Sequence, residues 1–382
     1  MTSNLSTRSL QLDLFRGCAA LLMVLNHAGY TWLAPIDSTT GFVGAIVFAG
    51  SAAPALFFFA TGVGMGMARK GRADWPGLWR KVVLLFIADA FLNWAVHRWL
   101  GLDFFGFCAL SMVAVALVDA APRPRLAAAI ALAVVLVVRY GDAPQLERWV
   151  ADAPWIAIFT GVAGMKDVSY PLCPWLLFPL VGYLLGRASP RLDSLAAGAC
   201  VAAGAVVTLG VAWVMAQHGA PVHRWGSVSF AYLMFAVGFV AFAWIVARGA
   251  CGLAGRGFLQ LRGPASLLVV PIHYALIELG AACVPPPWAP QAWLAAVGAL
   301  ALFTLPAARW LAARLKALAE RPGAGPMLAG AVVAAALACA AASEVASALA
   351  CWLVACLSQV VIAANLARPP RPVARLAPRR TL

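Results

Sequence analysis

The chain has 382 residues, 63% of them hydrophobic and 11% charged, with a mean hydropathy of +0.87. Soluble domains carry roughly 25% charged and about 45–50% apolar residues, so a soluble enzyme, a disordered chain and a nucleic-acid-binding protein are excluded together. The formal net charge of +14 therefore reads as the cationic loops of a polytopic membrane protein, not as a nucleic-acid surface.

A spanning helix needs about 20 mostly apolar residues. That ruler predicts helices near 12–34, 42–68, 77–97, 104–121, 125–140, 172–187, 193–216, 228–248, 263–284, 290–308, 326–343 and 345–366. Only Ser343 and Glu344 separate the last two, so one bent helix is an alternative there. The expected fold is an all-α transmembrane bundle of 11–12 spans, one domain over residues 1–366, followed by a basic, Pro-rich tail over 367–382. The tail is expected to be disordered and drawn to anionic membrane lipid. The first apolar run carries an acid, an arginine and a histidine and ends in no small-residue cleavage pattern, so it reads as a retained helix. The nine cysteines fall singly, with no CxxC or Cys/His spacing, so neither a disulfide framework nor a metal site is expected.

Alternating the loops between two sides divides the 28 Lys and Arg residues 23 to 5. The positive-inside rule then puts both termini in the cytoplasm, together with Arg69, Lys70, Arg72, Arg80 and Lys81. Residues 141–171, with Trp149, Trp155 and Phe159, are expected on the outer side as a re-entrant or interfacial stretch. A cysteine introduced by Trp75→Cys should resist an impermeant maleimide in intact cells, and labelling from outside would overturn this orientation.

Ionisable groups inside spans cost about 2.5–3.5 kcal/mol each on insertion scales and mark candidate sites. The first helix carries Asp13, Arg16, Asn26 and His27. At about 100° per residue Arg16 and His27 fall about 20° apart, with Asp13 about 60° from Arg16, and His27 lies roughly 16 Å deeper. The plainer alternatives are an orienting ion pair for Asp13–Arg16 and a packing histidine for His27. The third helix has Asp89, Asn93 and His97 at i, i+4 and i+8, a stripe that also suits interhelical hydrogen bonding. The ninth has His273, Tyr274 and Glu278, of which Tyr274 and Glu278 share a face while His273 points about 140° from Glu278. The glycines of residues 57–68 follow no strand and precede no GK[ST], so they read as close-packing positions and not as a phosphate loop.

The run Leu12-Asp13-Leu14-Phe15-Arg16-Gly17, followed by apolar residues to Asn26 and His27, resembles the first helix of the heparan-alpha-glucosaminide N-acetyltransferase-like membrane proteins. Its arginine-to-histidine spacing is similar to that of the related acyltransferase-3 family. Residues 56–64, LFFFATGVG, resemble the second-helix segment of both groups. Met165 to Trp175, running into Gly182-Tyr183-Leu184-Leu185-Gly186-Arg187, resembles the former group specifically. Residues 263–275, GPASLLVVPIHYA, are similar to a late helix in both that carries a Gly, a Ser and a His. Two departures stand out. The human-type enzymes have asparagine where His27 stands, and place their proposed catalytic histidine in a later loop. The Arg-rich segment of the acyltransferase-3 group is only loosely echoed by residues 69–81.

The resemblance implies an integral membrane acyltransferase, expected in a bacterial cytoplasmic (inner) membrane. It would take an acyl group, usually acetyl, from cytoplasmic acyl-CoA to a hydroxyl or amine of a saccharide or glycolipid on the far side. No metal and no nucleic acid are expected, and a homodimer is admitted. The residue types suit that chemistry. Histidine serves as a base near neutral pH, which points to His27, with His273 as a second candidate. Asn26 or Arg16 would donate to the thioester oxygen. Arg16, Arg69, Arg80 and Lys81 are the cations for donor phosphates. Asp13, Asp89, Asn93, His97, Tyr274, Glu278 and Trp175 complete the candidate polar site. The alternative is a proton-coupled transporter using Asp89, Glu278 and His273, although no second copy of the Asp13–His27 segment appears as the repeats of transporters would suggest.

Overall fold

The computed structural model describes residues 2–68, 75–95, 102–141, 148, 156–160, 168–188, 230–253 and 256–319. The expected spans at 193–216, 326–343 and 345–366, the tail and most of 141–171 lie outside them.

The described residues are all-α. In chain order the helices are α1 (Thr2–Trp32), α2 (Pro35–Thr39), α3 (Gly41–Gly50), α4 (Ala53–Ala68), α5 (Trp75–Ala95), α6 (Phe104–Ala120) and α7 (Pro124–Tyr140). The short α8 (Ala157–Thr160) and α9 (Leu172–Trp175) precede α10 (Leu177–Arg187), α11 (Phe230–Ala250), α12 (Gly263–Cys283) and α13 (Pro290–Ala319). Among the described residues four segments are long and apolar enough to cross a membrane: Gly41–Ala68, Tyr232–Ala250, Ala265–Cys283 and Pro290–Leu318. Phe104–Ala120 and Leu172–Arg187 are shorter apolar helices. The protein is therefore a polytopic helical membrane protein.

The span expected at 42–68 is broken into α3 and α4 at Ser51 and Ala52. Pro54 sits in the first turn of α4, where its missing N–H does no harm but where a continuous helix would lose a rung. Tyr232 of α11 donates its hydroxyl to the Ser51 carbonyl at 2.7 Å, giving the break a polar partner.

Helix α1 is the central strut and packs against α3, α4, α11, α12 and α13. Its buried stripe of Phe15, Ala19 and Met23 explains how one helix, polar by composition, is held inside the bundle. Gln11 donates to the Trp244 carbonyl of α11 at 2.8 Å, and Phe15 meets the Trp244 ring edge-on at 5.3 Å. Two bonds pin α1 to the α12 segment. The Leu261 N–H reaches the Asp13 carbonyl at 3.0 Å, and Trp32 Nε1 donates to the Ile277 carbonyl at 3.0 Å. Residues 13 and 32 thus stand beside 261 and 277, so the two helices run parallel in a fixed register. Gly17 makes this possible at the lower end, because a Cβ there would fall on the carbonyl oxygen of Leu259.

The closest helix pair is α4 with α10. A Cβ on Gly62 or Gly66 would strike the carbonyls of Pro179 and Tyr183, and one on Gly182 or Gly186 those of Phe59 and Val63. Small residues on both sides let backbones touch where lipid supplies no hydrophobic drive. The opposite pattern marks the perimeter. Leu126, Ile130, Val134 and Val137 form an exposed apolar row on α7, as Leu294, Leu302, Phe303 and Trp310 do on α13. Such rows suit lipid chains as their neighbours.

Candidate functional site

The fixed register of α1 and α12 brings His27 and His273 together, although they are 246 residues apart. His27 Nδ1 and His273 Nε2 are 2.7 Å from each other, with the rings nearly parallel. The next residue of α12, Tyr274, places its hydroxyl 3.2 Å from His27 Nε2 and stacks on that ring at 4.5 Å. His273 is fully buried, and its Nδ1 lies 2.7 Å from the Val269 carbonyl. Pro271 interrupts the hydrogen-bond ladder of α12 two residues earlier.

One helical face below, Arg16 pairs with Asp13 at 3.2 Å. The pair is not sealed off, because Arg16 also lines a cavity of about 290 Å³ between α1, α4, α5, α6 and α12. Lys81 stands in the same wall, and Phe57, Met65, Leu85 and Phe104 make most of the rest apolar. Gly64 leaves room for the Arg16 guanidinium, which a Cβ there would approach to 3.1 Å. Gly263 and Ser266 close the cavity on the α12 side. Three of the four segments noted in the sequence therefore meet here, and Ser266 lies seven residues, or about 10 Å, from His273 along one helix. His27 is not among the residues that line the cavity.

The remaining candidates go elsewhere. Asn26 is buried and donates to the Val47 carbonyl at 2.9 Å, which ties α1 to α3 on a face turned from His273. The Asp89 carboxylate accepts from the backbone N–H groups of Asp103 at 3.1 Å and Phe105 at 3.0 Å, and from Asn93 at 3.3 Å. It thereby serves the start of α6, where the first N–H groups have no helical partner. Removing it by Asp89→Ala should cost about 1–3 kcal/mol of stability and leave donor affinity unchanged. Thermal unfolding read beside a binding isotherm separates the two. Glu278 is exposed. Its exposure sets Glu278 apart from the buried Asp89 and His273. Arg80 is exposed on α5, while Arg69 and His97 lie outside the described residues.

Trp175 is buried in an aromatic wall, with ring centroids 5.1 Å from Tyr170, 5.8 Å from Phe58 and 6.1 Å from Tyr232. Tyr170 and Tyr232 were not singled out from the sequence. Tyr170 precedes α9, and Phe104 and Phe107 of α6 also face its ring, with centroids at 6.4 and 6.3 Å. The only sequence sign of it was the Ser169-Tyr170-Pro171 stretch within the resembling segment.

The bundle thus holds a mostly apolar cavity with Arg16 and Lys81 in its wall, and a close contact between His27 of the central helix α1 and the buried His273 of α12. Residues 8–221, more than half of the chain, match the family model described as heparan-alpha-glucosaminide N-acetyltransferase, catalytic, and the chain belongs to that family of membrane acyltransferases. The matched region holds Asp13, Arg16 and His27, whereas α12 with His273 lies beyond it. Among curated proteins and solved structures nothing matches.

Proposed function

We propose that the protein moves an acyl group, acetyl in the first instance, from cytoplasmic acyl-CoA to a hydroxyl or amine of a saccharide or glycolipid on the outer side of a bacterial cytoplasmic membrane. The observation that carries this reading is the arrangement along α1. Arg16 faces a mostly apolar cavity at one level, and His27 meets His273 and Tyr274 eleven residues further on. The cavity suits a donor that is anionic at one end and a slender arm at the other. Arg16 and Lys81 would hold phosphate oxygens, for which the planar guanidinium is well matched. The arm would lie between Phe57, Met65 and Leu267. The cavity stops short of His27, so delivery of the thioester requires the arm to displace side chains above Ser266.

His27 then acts as the base. Its Nε2 takes the proton of the acceptor O–H or N–H while the acceptor atom bonds to the thioester carbonyl carbon. The C–S bond breaks, and the departing sulfur takes that proton and leaves as the CoA thiol. Orientation of both reactants by the bundle supplies much of the acceleration. The purified protein incubated with radiolabelled acetyl-CoA and a mixed glycan extract should release CoA thiol and transfer label to the glycan fraction. Binding of acetyl-CoA with neither thiol release nor transfer to any hydroxyl or amine acceptor would remove the reading.

A further inference from the structure

We infer that His273 is a positioning residue that holds the ring proton of His27 on Nδ1, so that Nε2 is the nitrogen presented to the acceptor, with the Tyr274 hydroxyl keeping that nitrogen's place. The inference rests on the reading of His27 as the base and extends it to an atom and to a residue outside the matched region.

The Val269 carbonyl can only accept, so His273 Nδ1, 2.7 Å away, carries the hydrogen. A neutral imidazole has one N–H, which leaves His273 Nε2 as an acceptor. His27 Nδ1, 2.7 Å from it, must then be the donor. The neutral His27 ring consequently has its lone pair on Nε2, and the Tyr274 O–H at 3.2 Å donates to it. The other tautomer of His27 would set two lone pairs against each other at 2.7 Å. Moving the His273 proton to Nε2 to relieve that would put its Nδ1 lone pair against the Val269 oxygen. Each step is fixed by the step beyond it.

The same contacts describe the reacting state. When Nε2 takes the acceptor's proton, the Nδ1–H bond to His273 becomes charge-assisted and strengthens, as such bonds do. The proton taken at Nε2 is the one handed on to the leaving sulfur, so Nδ1 keeps its own hydrogen throughout. The Tyr274 contact is long for a bond from a hydroxyl, and an acceptor O–H or N–H entering along the same line takes its position. The backbone protects this geometry. The Leu261–Asp13 and Trp32–Ile277 bonds fix the register of α1 against α12 on either side of the pair.

The test uses the full-length protein in lipid, with the ring nitrogens of its five histidines labelled with 15N. The spectrum of His27, assigned by its loss in His27→Ala, should show a protonated Nδ1 and a bare Nε2. His273→Phe removes the acceptor and should lower kcat roughly tenfold or more with donor KM unchanged, in line with the cost of losing a tautomer-fixing partner. His273→Gln offers an amide oxygen where Nε2 stands and should restore most of kcat. A wild-type His27 protonated on Nε2 overturns the inference, whatever the activities. An unchanged kcat in His273→Phe, with turnover lost in His27→Ala, removes the inference alone. Full turnover in His27→Ala removes the catalytic reading and takes the inference with it. Should phenylalanine unseat α12, the wild-type spectrum decides.

Discussion

His27→Ala is expected to lower turnover by at least a hundredfold, the lower end of the roughly 10²–10⁴ that a positioned general base supplies, while acyl-CoA affinity stays near wild type. The split follows from the geometry. His27 stands with His273 and Tyr274 and lines no part of the cavity that would hold the donor. Its removal takes away a proton acceptor and leaves the anchoring cations untouched. Parallel measurement of CoA release and of equilibrium binding of a non-transferable acyl-CoA analogue checks the split. Wild-type turnover in the variant would show that the polar face of α1 is packing and would pass the role of base to His273.

Arg16→Ala is expected to do the reverse. A charge-assisted hydrogen bond is worth about 1.5–3 kcal/mol, so donor affinity should fall about tenfold or more. Part of any effect arises from Asp13, which loses its partner at 3.2 Å. The double variant Asp13→Asn, Arg16→Ala removes both charges and isolates the contact to the donor. Arg16→Lys should fall between, since it keeps the charge and loses the planar fork. Unchanged CoA affinity in a folded Arg16→Ala protein would reduce the residue to an orienting ion pair.

The parts of this molecule that were legible in its sequence are those governed by local periodicity. Apolar run length located α5, α6, α7, α11 and α12 near their observed limits, whereas α1 begins at Thr2 and not near 12, α10 begins at Leu177 and not at 172, and α13 runs on to Ala319 and not to 308. The 100° rule placed Arg16 and His27 on related faces of α1. The proline at position 54 was visible, but that the span from Gly41 would break at Ser51 depended on Tyr232 reaching its carbonyl, a partner 181 residues away. The Asp89–Asn93 stripe was readable as polar. Its purpose was not, because the donors it satisfies are backbone N–H groups of α6, which a side-chain pattern does not reveal.

The candidate site shows the same limit. On α12 the pattern grouped Tyr274 with Glu278, yet the structure groups Tyr274 with His273 and leaves Glu278 exposed. His27 looks into the gap between residues 273 and 274, which are about 100° apart on their helix. Only the parallel docking of α1 and α12 creates that relation, and it is set by the close approach at Gly17 and by two long-range hydrogen bonds. Ser266 was present in the resembling stretch 263–275. That it lines a cavity with Arg16 required five helices to be in place.

Arg16, Ala68, Lys81 and Gly263 gather at one end of the bundle, around the cavity, while Tyr30 and the turn at residues 284–289 lie toward the other end of α1 and α12. Transfer across the membrane needs donor and acceptor to reach the site from these opposite ends. The measurement that tests this most directly uses proteoliposomes of fixed orientation, with radiolabelled acetyl-CoA confined to the Arg16 side and a saccharide acceptor confined to the other. The account predicts label on the acceptor in the compartment that never held donor, and none with His27→Ala. Label appearing only when donor and acceptor share one compartment would contradict it.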